Sequence, residues 1–235
     1  MTITPNTLSR SAGVAAVAAG LIFIGVQINH PHLDATSIST TNVAIRSSLK
    51  VLMAGLALIG ITGMYLRQVR QMGVLGLVGY LLFCANYLVI MCTTFVAAYV
   101  LPSIAGGNPS YANDVLTAAT GGHATGDIGN LKYVIVAESV LFLTGGLVFG
   151  IALFRARVLA RWAAALLSVG GVVTAALSLM PDAFYRLLAL PNGVALIGLG
   201  YSLWLTGRID PAAVGTVTPA VTPAGTAQLS TAGAE

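Results

Sequence analysis

At 235 residues the chain has the length of one or two soluble domains, yet 57% of it is hydrophobic, only 8% is charged and its mean hydropathy is +0.89. A water-facing surface takes about a quarter charged residues, so a soluble domain is excluded and lipid is the expected solvent. The net charge of +4 comes from basic residues set singly or in small groups at the ends of apolar runs, with no glycine-rich phosphate loop and no aromatic-interleaved basic patch, which excludes nucleic acid and leaves the bilayer as partner.

Six apolar runs, at about residues 12–29, 48–66, 73–101, 132–154, 158–180 and 185–206, are separated by polar breaks. A spanning helix takes ~20 apolar residues, and all of its backbone polar groups must be paired within it. The expected fold is all-α, a polytopic transmembrane bundle of six spans within residues 12–207, with a short stretch at 1–11 before it and a tail at 208–235 after it. Arg10 followed by an Ala-rich run has a signal-peptide look, but the run continues past its small-residue cluster, so an uncleaved first span is expected. The third run is the longest; at ~1.5 Å per residue it would rise ~43 Å, so it must tilt or protrude.

With six spans both termini share a side. Placing them in the cytoplasm puts Arg10, Arg67, Arg70, Arg155, Arg157, Arg161 and Arg208 inside and Arg46, Lys50, Lys132 and Arg186 outside, seven of the eleven basic residues against four. The positive-inside rule favours that orientation and a multi-pass protein of the cytoplasmic (inner) membrane. His30, His32 and His123 then lie outside with Asp34, Asp114, Asp127 and Asp182, so a polar site is expected to face outward.

The first outer loop (29–47) opens with Asn-His-Pro-His-Leu-Asp, and the second (102–131) is the long connection. There Asn108 is placed to cap a helix with Pro109 as its first residue, whose apolar side would hold Tyr111, Val115, Leu116 and Ala119. Such a helix would lie in the interface and partly roof the bundle. The third outer connection (181–185) reads as a tight turn, and the Ala/Thr/Pro/Gly-rich tail as disordered. A weak echo links residues 60–79 and 146–171, each a Gly-rich helix, a basic turn and a second Gly-rich helix.

Glu138 is the leading candidate for chemistry. It falls about two turns into the fourth span, where a carboxylate is costly unless protonated, paired or facing water. A purely structural carboxyl, bonded to a neighbouring helix, is the alternative. Span three supplies Tyr80, Asn86, Tyr87, Thr93 and Thr94, of which Tyr80, Asn86 and Tyr87 are candidate pocket residues, with interhelical packing as their plainer reading. Pro191-Asn192 near the outer end of span six suggests a kink, with Asn192 facing the same cavity. His30, His32 and Asp34, joined by His123 and Asp127, have metal-ligand chemistry, although interfacial loop histidines explain them as well. Cys84 and Cys92, eight apart on one helix, are too distant to bond each other. Mid-helix lysines in spans five and six are absent, as are histidines within spans, which excludes retinal and haem-b bundles; no cofactor is expected.

The stretch 138–208, with its turn Phe154-Arg155-Ala156-Arg157-Val158-Leu159-Ala160-Arg161-Trp162 and its ending from Pro191-Asn192-Gly193 through Tyr201-Ser202-Leu203-Trp204, resembles bacterial six-span membrane proteins grouped as a family of unknown function. The Ala- and Gly-rich composition resembles that of actinobacterial proteins. The resemblance implies the architecture and carries no activity, cofactor or site residue.

Three functions fit these residues. The first is a non-enzymatic component that binds a small hydrophobic or lipid-like molecule in an outward-facing polar pocket, as a monomer or a homo-oligomer. The second is an intramembrane enzyme of the isoprenoid-cyclase kind, in which Glu138 or Asp182 donates a proton. The third is a proton-coupled small transporter with Glu138 as relay.

Overall fold

The computed structural model describes residues 4–28, 31–177 and 189–207. All regular structure among them is helical. The main helices are α1 (Pro5–Gly25), α2 (Thr41–Arg67), α3 (Val69–Phe95), α4 (Leu101–Ala105), α5 (Pro109–Ala119), α6 (Leu131–Ala156), α7 (Arg161–Leu177) and α8 (Ala189–Thr206). A short 3₁₀ turn (Ser37–Ser39) precedes α2, and a π-turn (Val96–Val100) joins α3 to α4. Among the described residues four helical stretches are long and apolar enough to cross a membrane: Pro5–Gly25, Thr41–Arg67, Val69–Ala105 and Leu131–Ala156. His30, Asp182, Arg186, Arg208, the 181–185 turn and the 208–235 tail lie outside the described residues.

Several helices are longer than their apolar runs. α1 begins seven residues before the expected 12, because Thr4 caps it, accepting from the Thr7 N–H at 3.2 Å, with Pro5 at its first position. α2 likewise begins at Thr41 rather than 48. The third span runs on through the π-turn to Ala105, so the long connection starts four residues later than 102. Hydropathy marks the stretch that lipid must touch, whereas caps decide where helices end. At the turn from α2 to α3 a single residue, Gln68, separates the helices, and the chain redirects at Gly73 (φ 57°, ψ −155°), a conformation open essentially to glycine alone.

The long helices close into a ring in chain order: α1 packs on α2, α2 on α3, α3 on α6, α6 on α7, α7 on α8 and α8 back on α1. Small residues let the backbones meet. Gly13 faces the Gly200 carbonyl and Gly200 faces that of Gly13, while Gly20 and Gly193 repeat the exchange seven residues along, so α1 and α8 run antiparallel in direct backbone contact. α3 and α6 use a second reciprocal pair. Gly79 receives the backbone at Phe149, and Gly145 receives the backbone at Phe83. The two Phe rings then meet at 5.8 Å in the core.

Arginines hold the helix ends. Arg46 of α2 donates through Nη1 to the carbonyls of Val26 (2.8 Å) and Ile28 (2.9 Å), just past the C-terminus of α1. At the opposite end Arg67 donates to the Thr206 carbonyl of α8 at 3.1 Å. A cation at a helix C-terminus satisfies orphan carbonyls and offsets the helix dipole.

Candidate functional site

A second, smaller core forms at one end of the bundle, where Ile38, Leu101, Ala112, Val115, Leu116 and Ile128 pack together. It seats α5 as a roof, much as the Asn108-Pro109 pattern anticipates: the Asn108 side chain accepts from the Tyr111 N–H at 3.1 Å. Two polar ties pin this roof. Asn113 accepts from the Ala35 N–H of the first loop at 2.7 Å. Asp114 is buried and accepts from both the N–H (2.8 Å) and the hydroxyl (3.0 Å) of Thr125. Backbone N–H donors from Thr125 and Gly126, aided by the Thr125 hydroxyl, hold its carboxyl below the usual value of 3.8.

Beneath α5 lies an apolar cavity of about 50 Å³, walled by Thr93, Ala97, Leu101, Val115, Leu116 and Ile135 among others. Thr93 gives it a polar corner. Its hydroxyl donates to a Glu138 carboxylate oxygen on α6 at 2.8 Å and stands 3.1 Å from the Ile90 carbonyl. The Lys50 ammonium of α2 lies within electrostatic reach of Glu138 and of Arg46. Thus α2, α3 and α6 bring a cation, a hydroxyl and a carboxylate to one level. Lys50 is nine residues into α2 and Glu138 seven into α6, ~13 Å and ~10 Å from those helix starts. The π-turn immediately after α3 carries the chain over this cluster; such turns recur at functional sites.

One hydroxyl proton cannot serve Glu138 and Ile90 at once. With Glu138 ionised, Thr93 donates to the carboxylate; with Glu138 protonated, the carboxylic acid can donate to Thr93, which turns its own proton to the Ile90 carbonyl. Both protonation states therefore have a satisfied partner set, which suits either a permanent charge pair or a proton relay.

The other sequence candidates separate. Tyr80 stacks on Tyr65 of α2 at 4.5 Å, and its hydroxyl is 3.3 Å from that of Thr62. Tyr87 is buried with its ring edge-on to Phe83. Asn86 is fully buried, and neither its amide nitrogen nor its oxygen has a hydrogen-bond partner. Asn192 is buried where its amide fills the space a side chain on Gly170 would take. None of these four lines the cavity beneath α5. His32 and His123 are exposed, while Asp34 accepts from the N–H groups of Thr36 (2.9 Å) and Ser37 (2.7 Å) at the 3₁₀ turn. The Ser37 N–H is foremost in holding the Asp34 carboxyl below its usual value. No group of three or more His, Cys, Asp or Glu side chains that would hold a metal occurs among the described residues.

Lys50 escaped the sequence reading as a site residue, and Thr93 was named there only as one of the polar residues of span three. Lys50 looked like a helix-mouth residue because the apolar run begins at about 48, and only the early start of α2 at Thr41 carries it inward. Nothing in the sequence set Thr93 apart from Thr94 beside it or tied it to Glu138. No family model matches the chain, and no curated protein or solved structure does.

Proposed function

We propose that this is an integral membrane protein of six spans with both termini cytoplasmic, set in the inner membrane, which binds a small hydrophobic or lipid-like molecule at its outward, α5-roofed end without chemical turnover. The observation that carries this reading is Thr93: its side chain walls the apolar cavity beneath α5, and its hydroxyl bonds Glu138. Apolar lining beside one half-buried charged cluster is the usual make-up of a small-molecule site. The cavity is small as it stands, so admission of a ligand lifts α5 on its Asn113 and Asp114 ties. The resemblance of residues 138–208 to bacterial six-span proteins accords with the architecture.

Native mass spectrometry and lipid analysis of the purified protein test this. A defined hydrophobic molecule should co-purify with the wild type and with Glu138→Gln, and be lost from Ala97→Phe, which fills the cavity. Identical co-purifying material in wild type and Ala97→Phe would sink the reading.

The Lys50–Glu138 coupling favours a second reading, proton-coupled transport, in which Glu138 relays the proton and Lys50 tunes it. Proteoliposomes would then take up protons in step with a solute, and Glu138→Gln would abolish the coupling. The cyclase reading needs a second carboxyl beside Glu138; Thr93 bonds it and Lys50 acts on it electrostatically, and Asp182 lies outside the described residues.

A further inference from the structure

A larger recess, ≈ 380 Å³, opens on the bundle's outer wall between the last turn of α1 and the first turns of α2. Its walls are Ile22, Gly25 and Val26 on one side and Ile45 and Leu49 on the other, with Arg46 and its partner Asn42 at the polar end. We propose that this groove holds one anionic phospholipid, its phosphate against Arg46 and an acyl chain along Ile22, Ile45 and Leu49.

The guanidinium is fixed before any ligand arrives. Nε donates to Asn42 Oδ1 at 2.6 Å, and Nη1 donates to the Val26 and Ile28 carbonyls at 2.8 and 2.9 Å. Those bonds leave Nη2 without a hydrogen-bond partner among the described residues, so the planar fork keeps donors for a phosphate oxygen. The charge pattern matches an anion. Among the described residues of the lining Arg46 is the sole ionisable one. The rest of the lining matches a chain of methylenes. Ile45 and Leu49 are exposed, as is Leu21 beside the groove, so the recess opens onto the surface that lipid covers. Gly25 keeps it open, since a Cβ built there meets nothing within 4 Å. A polar end carrying one fixed cation, continued by an apolar trough, selects an amphiphile with an anionic head over a zwitterionic one. The inference is independent of the cavity beneath α5, which shares no lining residue with this groove.

The test is native mass spectrometry of the full chain in detergent, loaded with equal amounts of phosphatidylglycerol and phosphatidylcholine. The wild type should keep one phosphatidylglycerol at activation energies that strip phosphatidylcholine, with a preference of about fivefold, because both lipids offer a phosphate but only the choline adds a cation that Arg46 repels. Arg46→Gln should erase the preference and Arg46→Lys keep most of it. Gly25→Phe should fill the groove and lower retention to the background level while leaving the Arg46 contacts and the melting temperature unchanged, which separates lipid loss from misfolding. Equal retention of both lipids by the wild type overturns the proposal, as does undiminished retention by Gly25→Phe. Displacement of the lipid by inorganic phosphate alone would assign the site to a free anion and equally overturn it.

Discussion

The Thr93 hydroxyl and the Glu138 carboxylate meet at 2.8 Å, joining α3 to α6. That bond is a polar tie between two helices that also meet backbone against backbone at Gly79 and Gly145 and ring against ring at Phe83 and Phe149. Thr93→Val keeps the shape and removes the donor, leaving a half-buried carboxylate short of a partner. The expected loss is about 1–3 kcal/mol, read as a lower melting temperature in detergent. Thr93→Ser should sit near the wild type, and equal melting of the valine and serine variants would show that the bond contributes nothing.

Lys50 and Glu138 should be energetically coupled. Lys50→Met removes a cation that favours the ionised carboxylate and Glu138→Gln removes an anion that favours the ammonium, whereas the double variant carries neither charge. A double-mutant cycle on thermal stability is expected to give a coupling of about 0.5–3 kcal/mol, with the double variant more stable than the sum of the singles. Strict additivity would mean that the two charges are screened from each other.

The antiparallel contact of α1 and α8 depends on side-chain absence. Gly13→Leu or Gly200→Leu drives a side chain into the partner carbonyl, and each should cost at least about 1–3 kcal/mol or prevent a monodisperse preparation. Gly55→Ala is the control, because a Cβ there meets nothing within 4 Å. Size-exclusion profiles of the three variants decide the matter.

Asp114 ties the roof in a pH-dependent way. Its folded carboxyl titrates below the usual 3.8, so the bonds to Thr125 stabilise fully above that value and are lost as pH falls through the lower folded one. The melting-temperature gap between wild type and Asp114→Asn should be constant at neutral pH and narrow only at and below about pH 4. A gap that closes near neutrality would point to another group.

Orientation is open to direct measurement. Ser110→Cys at the exposed start of α5 and Gln71→Cys at the exposed α2–α3 turn, each on a background without Cys84 and Cys92, mark opposite ends of the bundle. A membrane-impermeant maleimide should label the first in intact cells and the second only after permeabilisation. The reverse pattern would invert the proposed topology.

Much of the local structure was legible in the chain. The four long helices recognised as membrane-crossing fall on the first four apolar runs, and the Asn108-Pro109 pair marks the start of α5. Helix ends were less legible, since Thr4 and Thr41 lie outside the apolar runs that announce their helices. The candidate site was legible only in Glu138. Of the span-three candidates, Tyr80 lies against Tyr65 of α2 and Tyr87 is buried beside Phe83.

By itself the sequence determined the solvent, the helical class and the approximate position of each long helix, because those follow from transfer free energies summed along a single strand. Which helices touch, and therefore that Lys50, Thr93 and Glu138 converge while Asn86 is left without a partner, was decided only by the tertiary structure. The reason is physical. In water an apolar stripe points a helix face inward, but lipid is as apolar as a protein core, so hydrophobicity no longer distinguishes the two faces. Close approach at Gly13–Gly200 and Gly79–Phe149 selects the pairs instead, and that complementarity exists only in three dimensions.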